Sequence, residues 1–131
     1  MKKDIEIPIA KNIQIVAVRE WDKEFLSQSW YVYLVNNRKD SLETVLVLSR
    51  GNSKDKKTSV LRHSLGNLKS KASVKVELIA EEVFGFTNEY MVTFFAEGKL
   101  FERNFIFEAN TISEENSKHI GLMDSQGVLA I

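Results

Sequence analysis

The 131 residues fit one domain, and a chain of this length buries roughly two thirds of the surface its unfolded form exposes, enough for a core without staples. With 44% hydrophobic and 27% charged residues and zero net charge, the composition excludes the disordered, collagen-like and membrane-embedded classes. The absence of cysteine excludes thiolate chemistry and Cys-based zinc sites, and favours a reducing compartment.

The opening MKKDIEIPIAKN places Asp4, Glu6 and Pro8 where an export signal needs an uninterrupted apolar segment, so a cytoplasmic protein is expected. Ile5, Ile7 and Ile9 alternate with Glu6 and Pro8, predicting a short strand that Pro8 confines to an edge. A strand follows from Ile13 to Glu20. The stretch Trp21 to Gln28 breaks the alternation and reads as a loop. Trp30 to Val35 is apolar on both faces, as a central strand would be, and its aromatic and β-branched residues favour strand over helix. Asn36 to Ser41 reads as a turn, because Asn tolerates positive φ and bonds its own backbone. Leu42 to Ser49 returns as the next strand, so that Ser29 to Ser49 reads as an apolar hairpin and is expected to be the central pair of the sandwich, holding its core.

Arg50 to Lys57 is a polar loop, and Thr58 to Leu65 a short strand. Ala72 to Ile79 alternates cleanly, with Val74, Val76 and Leu78 facing in and Lys75 and Glu77 facing out. Glu89 to Ala96 and Lys99 to Glu108 flank Glu97 and Gly98, a tight hairpin turn with Phe101, Phe105 and Phe107 on its inward face. Ser113 before Glu114 and Glu115 suggests one helical turn, and LMDSQGVLA a last small hairpin through Asp124 to Gly127. Strands at this spacing predict an all-β, immunoglobulin-like antiparallel β-sandwich of about seven or eight strands. It forms a single domain over 1–131, with a short C-terminal extension from about 110.

Two segments carry a resemblance. The strand ending at Asn36 and Asn37, the strand Leu42 to Ser49 and then LGNLKSKASVKVEL resemble bacterial immunoglobulin-like modules, in which a Leu-Gly-x-Leu turn precedes an alternating strand. The wider set REWDKEFLSQSWYVYLVNN, VLVLSRG, KTSVLRHSLG and NEYMVTFFA is similar to a small family of uncharacterised bacterial proteins, some of which carry the label phenylalanine tRNA synthetase α subunit. The resemblance implies a fold and no catalytic activity. A class II synthetase core is a much larger α/β structure with arginine-bearing motifs, and nothing in this chain corresponds to them.

The candidate chemistry is sparse. GNSKDKKTS from Gly51 to Ser59 approaches a phosphate-binding loop, but Lys56 fills the second glycine position and the strand–loop–helix context is missing, so a charged loop is expected. Histidines occur only at 63 and 119; His119 with Glu115 makes two ligands at helical spacing, too few for a catalytic zinc. No Gly-x-Ser-x-Gly nucleophile elbow occurs. The expectation is therefore no enzyme, no cofactor and no metal.

Charge is segregated along the chain: between Arg50 and Lys75 eight bases stand against one acid, and from Val76 onward ten acids against three bases. Lys54, Lys56, Lys57, Arg62, Lys69 and Lys71 form a candidate face for an anionic partner, whether nucleic acid, a tRNA synthetase complex, an acidic protein or the acidic half of another copy, the other reading being that acidic neighbours in the fold neutralise them. No aromatic is interleaved for base stacking. Trp21 and Phe25 in the irregular stretch, and Phe84 and Phe86 around Gly85, are candidate anchors for a protein partner or for self-association, the other reading being that their loops fold back and bury them. The function expected is that of a non-catalytic intracellular protein–protein interaction module.

Overall fold

A computed structural model describes residues 6–131. Among these residues nine strands form two antiparallel sheets: β1 (Ile13–Trp21), β2 (Gln28–Asn36), β3 (Leu42–Asn52), β4 (Leu61–Leu68), β5 (Ser73–Ile79), β6 (Thr87–Ala96), β7 (Lys99–Phe107), β8 (Lys118–Ile120) and β9 (Ser125–Leu129). One sheet runs β5-β2-β1-β9-β8 and the other β4-β3-β6-β7. Lettered in the immunoglobulin manner, β1 to β7 are A, B, C, C′, E, F and G, with E-B-A facing C′-C-F-G. The tail beyond 110 supplies β8 and β9, which extend the A edge of the first sheet. Among the described residues no helix is long and apolar enough to cross a membrane.

Alternation builds the core. Ile13, Ile15 and Ala17 from β1, and Trp30, Val32 and Leu34 from β2, meet Val45, Val47, Tyr90, Val92, Phe94, Phe105 and Phe107 from the opposite sheet. A second cluster explains why β1 and β2 are apolar on both faces. Val16, Val18 and Val35 turn away from the sandwich and are covered by Ile120, Leu122 and Met123 of the C-terminal segment.

Several sequence expectations are corrected. The Ser29–Ser49 stretch is not a hairpin: β2 pairs with β1 and β5, β3 pairs with β4 and β6, and the turn between them crosses from one sheet to the other. Each strand is interior to its own sheet, which is why both read as central. The crossover is fixed by Asn36, fully buried, whose side-chain amide donates to the carbonyls of Asp40 (3.0 Å), Leu68 (3.3 Å) and Lys69 (3.1 Å). Its side-chain oxygen accepts from the Arg38 amide at 2.9 Å.

No strand forms over the described part of Ile5 to Ile9. Ile7 and Ile9 are exposed, a single bridge joins Ile9 to Glu102, and Ile5 lies outside the described residues. Strand β3 continues to Asn52, so Arg50 is a strand residue. Leu65-Gly66-Asn67-Leu68 belongs to β4 instead of forming a turn, with Gly66 at φ 69° opposite a bulge in β3. The last hairpin turns at Gly121 to Asp124, and Gly127 lies within β9, where an added Cβ would stand 2.5 Å from Val16 Cγ1.

The most consequential correction is in β5. Its pairing with β2 shifts register between Val32 and Tyr33, leaving Val76 as the extra residue of a bulge. A bulge reverses the alternation beyond it. Glu77 therefore turns inward and Leu78 is 50% exposed, the reverse of what the pattern predicts.

The predicted turn at Glu97 and Gly98 is present, with both residues at positive φ (54° and 71°), and Phe105 and Phe107 are buried. Phe101 is half-buried, stacked on Phe94 under the Arg38 guanidinium.

Candidate functional site

The antiparallel order places four connections at one end of the sandwich: residues 22–27, 53–60, 80–86 and 108–113. This end holds the aromatic candidates and half of the basic ones.

Residues 22–27 close the β1–β2 hairpin, where Trp21 pairs with Gln28. The loop is built around Asp22. Its carboxylate accepts hydrogen bonds from the Leu26 amide (2.9 Å), the Glu24 amide (3.1 Å) and the Ser27 hydroxyl (3.1 Å). Its own amide donates to the Ser27 carbonyl at 2.9 Å. The Leu26 amide, foremost among these donors, holds the Asp22 carboxyl below the usual carboxylate range. Phe25 is locked at φ 57°, a conformation a bulky side chain rarely takes. With the polar groups turned inward on Asp22, Trp21, Phe25 and Leu26 are left 54%, 73% and 76% exposed. Leu26 was not singled out by the sequence, where a lone leucine beside an aromatic carries no signal of exposure.

The other aromatic pair behaves differently. Phe84 is half-buried and packs its ring edge-to-face on Trp30 with centroids 6.4 Å apart, as satellite core. Phe86 is also half-buried, close against Gly51. Asn88, buried beneath them, holds the connection by donating to the carbonyls of Val83 (2.9 Å) and Phe86 (3.2 Å). Both aromatics are thus less exposed than Trp21 and Phe25.

The basic residues fall into two groups at the two ends of β4. Lys54, Lys56 and Lys57 sit in the 53–60 connection, Arg62 near the start of β4, and Lys69 and Lys71 in the β4–β5 connection at the opposite end. The eight residues of β4 set the two groups roughly 25 Å apart. Arg50 is paired with Glu89 at 2.6 Å and Lys75 with Glu20 at 3.1 Å, while Lys71 donates to the Asn37 carbonyl at 2.7 Å.

Between the edges of β4 and β5 the inward-turned Glu77 organises a polar cluster that the sequence did not reveal. Its carboxylate accepts from the Tyr90 hydroxyl at 2.7 Å and the Ser49 hydroxyl at 2.9 Å, and lies 2.6 Å from His63 Nε2. Burial, followed by the neighbouring Glu77 charge, pushes the Tyr90 phenol far above its ordinary range. Beside the cluster lies an open cavity of about 290 Å³ with Leu61, Leu78, Ile79 and Val83 among its walls. Ser49 gives its proton to a carboxylate instead of facing His63, so the group lacks the nucleophile–base contact of acyl-transfer sites. Its geometry is that of a cross-link between sheets.

No family model, curated protein or solved structure matches this chain. Among the described residues no group of three or more His, Cys, Asp or Glu side chains is placed to hold a metal ion.

Proposed function

We propose that the protein is a non-catalytic binding module whose contact element is the tip of the β1–β2 hairpin. One observation carries this reading: Trp21 at the end of β1 and Phe25 and Leu26 in the loop after it are all exposed, and the backbone of that loop is fixed by Asp22. Large apolar side chains held rigidly in water lose little conformational freedom when a partner covers them, which is the property of interface anchors. The polar cluster around Glu77 supports the non-catalytic side of the reading, since its hydroxyls are spent on one carboxylate.

The test is site-specific photo-crosslinking in the cells that make the protein, with a benzoylphenylalanine at position 25 and a control at the exposed Asn104. A discrete adduct at 25 and none at 104 supports the reading. Equal, diffuse labelling at both positions removes it.

A further inference from the structure

The end of the sandwich that carries the hairpin tip is complementary to itself. On the side of the first sheet stand the exposed Trp21, Phe25 and Leu26, with the acids Glu24, Glu81 and Glu82. The adjacency is direct, because Trp30 pairs with Ile79 and one shallow depression is lined by Gln28, Ser29, Glu81 and Glu82 together. On the side of the second sheet the 53–60 connection presents Lys54, Lys56 and Lys57 and ends on the exposed Val60, and next to it the half-exposed Leu61 borders the mouth of the 290 Å³ cavity. Among the described residues none of these three lysines and none of Glu24, Glu81 and Glu82 takes part in an ion pair. Glu24, Glu81 and Glu82 outweigh Lys23 on the first half and Lys54, Lys56 and Lys57 outweigh Asp55 on the second, so net charge of opposite sign lies on the two halves of one surface, each half with its own apolar group.

We propose that this end is a homodimer interface occupied by a second copy of the chain. A two-fold axis through the end lays the first-sheet half of one copy over the second-sheet half of the other. Phe25 and Leu26 of each copy then cover Leu61 and the cavity of its partner, and Lys54, Lys56 and Lys57 face the partner's acidic half. The contact is made twice, as in any isologous pair. The proposal rests on the reading of the hairpin tip as the binding element and names its partner. Charge complementarity favours this occupant over a lipid surface, which would meet the acids as well as the lysines.

Sedimentation equilibrium on the full chain tests it through a charge swap. One variant carries Lys54→Glu, Lys56→Glu and Lys57→Glu, and the other Glu24→Lys, Glu81→Lys and Glu82→Lys, with thermal melts confirming that both fold. The wild type should dimerise with a dissociation constant on the order of tens of micromolar, weakening several-fold when salt is raised, because exposed pairs are screened. Each variant alone opposes like charges at both junctions and should weaken at least about tenfold. An equimolar mixture of the two restores attraction at both junctions and should return a heterodimer of near wild-type affinity. A mixture that stays monomeric, a wild type monomeric up to about 1 mM, or undiminished dimerisation of Phe25→Ser with Leu26→Ser overturns the proposal. A monomeric wild type whose position 25 crosslinks to a different protein overturns the second copy as partner while leaving the tip as the binding element.

Discussion

Glu77 on β5 accepts the Tyr90 hydroxyl of β6 at 2.7 Å, so a carboxylate from one sheet is held by a phenol from the other. Without the Val76 bulge Glu77 would face solvent and the sheets would meet there through apolar contacts alone. Tyr90→Phe removes one hydrogen bond to a charged group and should cost about 1–2 kcal/mol, whereas Glu77→Ala leaves two buried hydroxyls without an acceptor and should cost about 2–4 kcal/mol. The two losses should be strongly non-additive in a double-mutant cycle measured by denaturant unfolding. Additive losses would show that the contact does not couple the sheets.

Asn36 ties the β2–β3 crossover to the β4–β5 connection through three donated hydrogen bonds and one accepted. Asn36→Ala should lower stability by about 2–3 kcal/mol and Asn36→Asp nearly as much, since a carboxylate has no proton for the three carbonyls. Chemical denaturation midpoints check it. A loss below about 0.5 kcal/mol would mean that water replaces the amide at no cost.

Acid should destabilise the fold through three carboxylates held below their usual range: Asp22 by the Leu26 amide, Asp40 by the Arg38 guanidinium, and Glu89 by Asn104 and then Arg50. The folded chain holds these groups deprotonated more firmly than the unfolded chain does. Their contribution is therefore present above about pH 4.5 and lost as pH falls through the lowered values. Thermal midpoints measured from pH 6 down to about pH 2 should fall, and Glu89→Gln should start lower at pH 6 and fall less steeply. Parallel curves for the variant and the wild type would contradict the assignment to Glu89.

Two backbone positions give opposite expectations. Thr44 stands at φ 51° within the β3 bulge, where its branched Cβ is unfavourable, so Thr44→Gly should stabilise by about 0.5–1 kcal/mol. Gly127→Ala drives a methyl against Val16 Cγ1 and the Ala17 carbonyl at 2.5 and 3.1 Å, and should destabilise by about 1–3 kcal/mol. Melting temperatures of the two variants should move in opposite directions.

What the sequence made legible was local. The β6–β7 hairpin needs only a period of two and a residue such as Gly98 at positive φ, all within twenty neighbouring positions. The partner of β2 was not legible, because a strand apolar on both faces fits a hairpin or a crossover equally well. The inward turn of Glu77 was hidden by the unbroken alternation of Val74, Val76 and Leu78, since a bulge is set by the pairing strand and leaves no mark in composition. At the candidate surface Trp21 and Phe25 could be named but not judged exposed. What exposes them is the set of hydrogen bonds that Asp22 makes along its own loop.

Strand β9 pairs with β1, so Ala17 finds Val128 after more than a hundred intervening residues. During vectorial synthesis the E-B-A and C′-C-F-G layers can meet while Val16, Val18 and Val35 still lack their cover. Folding should therefore finish late, with a slow final phase governed by long-range closure. A nascent or truncated chain stopping near residue 110 would carry an adhesive apolar stripe on its outer face, a substrate for chaperones until the last two strands arrive.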